Sequence, residues 1–134
     1  MHRHDEIEAL FARWSAAIAS KDIDTLVGLV TDDAEFWSNG AAPLTGRSAV
    51  RATFEAFFSR FDFTQDFEFV ELVVFADAAF ARGIEHNHLH PLAGGDDVEH
   101  TQRAFMLIRG EPDGEWRFAR GMTNVPPEQR VEPG

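Results

Sequence analysis

The chain has 134 residues, of which 44% are apolar, including 13 Phe and 3 Trp; this is enough large apolar surface for one packed domain and excludes a disordered composition. Twelve Lys and Arg against 23 Asp and Glu leave a net charge of −11, which repels phosphate backbones and anionic headgroups and so argues against nucleic acid or a membrane surface as partner. With no Cys, disulfides, thiolate nucleophiles and Cys-ligated zinc are excluded, and a cytoplasmic protein is expected.

In chain order, Asp5 and Glu8 have the spacing of a capping box, and Ile7, Leu10, Phe11, Trp14, Ala17 and Ile18 follow at helical spacing, predicting a helix that ends near Ser20. Asp22 is placed to cap a second, shorter helix carrying Ile23, Leu26, Val27 and Val30, which the run Thr31-Asp32-Asp33 is expected to end. Residues 34–38 suit a short strand, Asn39-Gly40 with Pro43 a turn or irregular connection, and Ala49, Val50, Phe54, Phe57, Phe58 and Phe61 the apolar face of a third helix running to about Arg60.

From Phe67 the pattern becomes that of strands: 67–75, 79–90, 100–109 and 115–124, separated by Ala76-Asp77, by 91–97 and by 110–114. Such short connections favour antiparallel neighbours. Helices followed by a meander make an α+β fold, a curved antiparallel sheet wrapped around three N-terminal helices. We assign residues 1–126 to this domain and 127–134, rich in Pro, to a surface tail.

Particular phrases carry a resemblance: Ile7, Leu10, Trp14 and Ala17 followed by Asp22 and Leu26, then Asp32-Asp33-Ala34-Glu35-Phe36, Gly46-Arg47-Ser48-Ala49-Val50, and Asp113-Gly114-Glu115-Trp116-Arg117-Phe118. In this order the chain resembles the SnoaL-like and calcium/calmodulin kinase association-domain-like branches of the nuclear transport factor two-like superfamily over about residues 7–126. The resemblance implies a cone-shaped roll of the cystatin-like type, with a pocket at its open end and commonly a homodimer through the sheet. It does not imply one chemistry, because the fold hosts isomerases, hydrolases, cyclases and non-catalytic modules.

Ketosteroid isomerases of that superfamily place a base near the end of the first strand and use an acid with a tyrosine; the resemblance puts the base position at about Ser38, and the chain has no Tyr. That chemistry is disfavoured, as is the epoxide-hydrolase arrangement. A cyclase-type site needs only one acid/base in an apolar pocket.

Strand parity puts His86, His88 and His90 on one face of 79–90 with Phe80 and Ile84. Such a run can ligate a metal if His100 or Gln102 adds a ligand, but a polar pocket mouth without metal or cofactor is the reading adopted. His86 and His88 are accordingly the catalytic candidates, imidazole being able to exchange protons near neutral pH. Trp37, Gln102, Arg103, Arg120 and Asn124 are the ligand-binding candidates, the last two by parity with Trp116 and Phe118. In the opposite orientation Ala79, Ala81 and Gly83 turn inward and bring Glu85 and Asn87 into the pocket. His2 and His4 are assigned to solvent, and Trp116 to anchoring the last strand.

The function expected is a small-molecule-binding domain, either a general acid/base enzyme on an apolar or carbonyl-bearing metabolite or a non-catalytic ligand-binding or dimerisation module. Apolar residues on both faces of the strands predict a homodimer.

Overall fold

A computed structural model describes residues 3–127, so His2 and the tail beyond Pro127 lie outside the described residues. The order is α1 (Arg3–Ala19), α2 (Ile23–Gly28), β1 (Val30–Trp37), β2 (Leu44–Thr45), α3 (Arg47–Phe58), β3 (Phe61–Val74), β4 (Ala78–Pro91), β5 (Val98–Gly110) and β6 (Trp116–Asn124). The six strands form one sheet in the order β2-β1-β6-β5-β4-β3, antiparallel except where β1 runs parallel to β6. This is the expected α+β architecture. Among the described residues no helix is long and apolar enough to cross a membrane.

Ile7, Leu10, Phe11, Ala17 and Ile18 of α1 are buried, as their spacing requires. The helix starts at Arg3, so Asp5 lies in its first turn beside Glu6, where a carboxylate favours the helix dipole, and does not cap it. Asp22 does cap α2, accepting from the Thr25 amide at 3.2 Å and the Thr25 hydroxyl at 2.7 Å.

Three expected boundaries change. The helix α2 ends at Gly28, and Val30 and Thr31, both β-branched and buried, open β1, so Asp32 and Asp33 belong to a strand instead of a helix-ending turn. A two-residue strand, β2, lies within the stretch read as an irregular connection and pairs Phe36 with Leu44. The strand β3 begins at Phe61, six residues early, because Phe61, Phe63, Gln65, Phe67 and Phe69 alternate with the exposed Asp62, Thr64, Asp66 and Glu68. Phe61 thus belongs to that alternation and not to α3.

The core lies between α1 and the concave face. The Phe11 ring sits 4.5 Å from Phe67, 4.8 Å from Phe69 and 4.9 Å from Phe118, over Ala79 and Ala81, which are fully buried. Small residues on β4 leave room for those rings. Gly83 continues the row: a Cβ there would lie 2.8 Å from the Phe67 ring and 2.1 Å from the Glu68 carbonyl, so no larger residue fits. Trp116 packs against this core and its Nε1 donates to Glu6 at 2.7 Å.

One register shift decides which residues reach the concave face. The pairing passes from Leu107↔Arg120 to Ile108↔Phe118, leaving Ala119 as an extra residue on β6. Phe118 and Ala119 are both buried, and side chains beyond the bulge change face.

Candidate active site

The open end of the curved sheet holds a cavity of about 200 Å³. Its walls are mostly apolar: Phe11 and Trp14 from α1, Phe36 from β1, Val50 and Phe54 from α3, Phe67 from β3, Met106 from β5 and Phe118 from β6. Gly121 lets Phe36 and Met106 meet over the backbone, since a Cβ there would come within 2.7 Å of the Phe36 ring and 2.8 Å of the Met106 sulfur. Into this apolar space project Gln65, Glu85, Gln102 and Thr123.

Glu85 is 8% exposed, and neither Lys nor Arg is among the residues lining the cavity. Its Oε1 accepts from Gln102 Nε2 at 2.6 Å and from Gln65 Nε2 at 3.3 Å. Gln65 is oriented in turn: its Oε1 accepts from Trp14 Nε1 at 3.0 Å, and its Nε2 also donates to Asn87 Oδ1 at 2.8 Å. Burial pushes the Glu85 carboxyl above its ordinary range, and the Gln102 hydrogen bond pulls only part of the way back. A carboxyl raised by desolvation, fixed by two amides and with no cationic partner among the described residues, is equipped to take or give a proton. The buried Thr123 Oγ1 has no hydrogen-bond partner among the described residues, which leaves it available to a polar atom of a ligand.

The histidines lie on the other face. On β4 the buried positions are Ala79, Ala81, Gly83, Glu85 and Asn87, so His86 and His88 project from the convex side, not into the cavity. There His86 Nε2 is 3.3 Å from Glu68, His88 Nε2 is 2.9 Å from Asp97, and His90 Nδ1 is 2.6 Å from the same Asp97. The neighbouring carboxylates push the His88 imidazole up, chiefly through the hydrogen bond that Asp97 accepts from it. His100 belongs to the concave side, so the sheet separates it from His86 and His88.

The bulge explains the next correction. Parity with Phe118 predicts an inward Arg120 and Asn124, but Ala119 inverts the alternation and both face outward with Arg103. Arg120 donates to the Asp33 carbonyl at 2.8 Å, and Arg103 Nε donates to Asn124 Oδ1 at 2.6 Å. Asp33 is held down at about 2, first by the Thr31 hydroxyl and then by Arg109, and is a structural carboxylate. Trp37 borders the cavity but is half exposed and donates to Glu35 at 2.9 Å; it also lines a depression on the convex face with Phe105, Leu107 and Met122. Of the binding candidates, only Gln102 projects from the concave face into the cavity.

Sequence parity alone admits Glu85 and Asn87 as the alternative to the histidines. Ala79-x-Ala81-x-Gly83 is the signal that selects it, because the small side of a strand faces the bulky side chains that must pack over it. Gln65 was legible in the Phe61 to Phe69 alternation. Thr123 was hidden by the bulge. Ser38, where the isomerase resemblance puts a base, does border the cavity, but the carboxylate enters from β4 instead.

Known proteins bear out the fold. A conserved protein from Planctomyces limnophilus superposes with a TM-score of 0.85 at 29% identity, over 91% of this chain and 94% of that one. A ketosteroid isomerase-like protein from Erwinia carotovora atroseptica gives 0.78 at 25% identity, over 89% and 92%. A nuclear transport factor 2-like superfamily protein from Salmonella enterica gives 0.79 at 18% identity over 97% and 95%, a likeness of fold alone. No curated protein matches the chain. The family model for the SnoaL-like domain matches residues 11–122, and with that match the chain belongs to the SnoaL-like domain family.

Proposed function

We propose that this protein binds a small carbonyl-bearing molecule and moves a proton at the carbon beside the carbonyl, with Glu85 as the acid/base. The observation that carries the reading is the desolvated Glu85 carboxyl without a cationic partner, held by Gln102 and Gln65 in an apolar cavity. A base kept out of water is stronger, and an enolate oxygen formed beside it can accept from the second N–H of Gln102 Nε2, whose first goes to Glu85. The kinship to a protein named ketosteroid isomerase-like supports this class of chemistry, although the base sits on a different strand. Thr123 Oγ1, without a partner among the described residues, is a polar atom available to a second ligand oxygen.

The test needs no natural substrate. With butyrophenone as probe in D2O, proton NMR follows exchange of the α-hydrogens for deuterium. Exchange accelerated over buffer by the wild type, and lost in Glu85→Gln, supports the reading. Butyrophenone that binds without accelerated exchange would make the domain a non-catalytic binding module.

The partner proposed for the convex face is a second copy of the chain. Trp37, Phe105 and Met122 are each about half exposed there, and Phe80 stacks on Phe105 at 5.3 Å, a contiguous apolar patch of the kind that marks an interface. Light scattering at micromolar concentration should give a dimer mass; a monomer would remove this assignment.

A further inference from the structure

A second cavity of about 390 Å³ adjoins the first. It is formed by Phe57 of α3, Phe63 of β3, Leu89 of β4 and Val98 of β5, with His100 at its edge. Thr53, Phe54, Gln65 and Gln102 line both cavities, so the two meet at a shared waist. At that waist the polar groups gather: Gln65 bridges Glu85, which faces the inner cavity, and Asn87, which faces the outer one. The order along the concave face is therefore apolar, polar, apolar. The inner cavity alone is smaller than the roughly 300–1,000 Å³ usual for small-molecule sites, and the outer one brings the site into that range.

We infer that the two cavities are one binding site for an elongated, uncharged molecule whose carbonyl or hydroxyl function lies between two apolar parts, one seated in each lobe. Among the described residues no Lys or Arg lines either lobe to hold an anionic head, and the net charge of −11 repels one further. A molecule with its polar group at one end would bury an apolar end correctly but leave its own oxygen in an apolar lobe, away from the second N–H of Gln102 Nε2 at the waist, the first going to Glu85. The inference rests on the binding site of the preceding proposal but not on its catalysis.

Alkyl phenyl ketones test it, because they carry the carbonyl between ring and chain. Dissociation constants for acetophenone, butyrophenone and hexanophenone are read from quenching of tryptophan fluorescence, Trp14 being bonded to the waist through Gln65. Affinity should rise by up to about fourfold per added methylene. Hexanophenone should also bind about tenfold more tightly than its isomer 4′-butylacetophenone, which has the same atoms but a terminal carbonyl. Val98→Asp, at a half-exposed position on the outer lobe, should flatten the dependence on chain length while the melting temperature stays near that of the wild type. A flat series, equal affinities for the two isomers, or an unaltered slope in Val98→Asp overturns the two-lobed site. Failure of α-hydrogen exchange with the slope intact overturns the catalytic proposal alone, and absence of binding by every ketone overturns both.

Discussion

The two faces of β4 carry the same kinds of groups to opposite ends. On the convex face, His86 and His88 meet carboxylates in solvent, where water and salt screen each pair and little is gained by holding it. On the concave face Glu85 meets only amides, away from water, and its proton affinity changes. Residue type made the histidines the obvious catalytic candidates, but titratable chemistry is made by environment: the carboxylate of Glu85 is withdrawn from water, whereas the three imidazoles are exposed to water and paired with carboxylates.

That contrast can be broken by experiment, beginning with the largest effect. Phe118→Ala removes a ring packed at 4.9 Å on Phe11 and should cost roughly 3–5 kcal/mol in chemical denaturation, with Trp116→Ala close behind. Phe105→Asp on the convex face should leave the protomer folded and convert a dimer to a monomer in light scattering. A dimer that survives Phe105→Asp would move the interface elsewhere.

Next is Glu85→Gln, which should slow α-hydrogen exchange of butyrophenone by about 10²-fold or more, the scale of general acid/base catalysis. His86→Ala and His88→Ala should leave exchange within about threefold, as groups on the far side of the sheet; a loss in either matching that of Glu85→Gln would reverse the assignment of the site.

The smallest effects are those of pH. Because the folded Glu85 carboxyl is raised above its unfolded value, its contribution to stability is present below the ordinary carboxylate range and is lost as pH rises through the folded value. Thermal melts should therefore show Glu85→Gln gaining on the wild type as pH rises. His88 is also raised, so its pairing with Asp97 contributes below the ordinary imidazole value and fades as pH rises through the folded one. Asp97 is lowered, and its contribution is lost instead at the acid end. Both groups are exposed, and His88→Gln should flatten this dependence by less than Glu85→Gln alters it.

What the sequence determined by itself is the helices, the five longer strands and their layering, but not the two-residue β2. Helical spacing marked α1 and α3, Asp22 marked the start of α2, and runs of β-branched and aromatic residues marked the strands, since these signals are local and act through backbone and side chains a few positions apart. It also determined which residues share a face of β4, because alternation is a property of the strand. Which of those faces looks inward was decided by the tertiary structure: the helix-borne Phe11 and the rings of β3 need the small side of β4 beneath them, and that requirement comes from elements far away in the chain. The extra Ala119 in β6 was decided the same way. Its bulge exists only in the pairing with β5, so the outward turn of Arg120 and Asn124, and the inward turn of Thr123, follow from a register that a single strand does not encode.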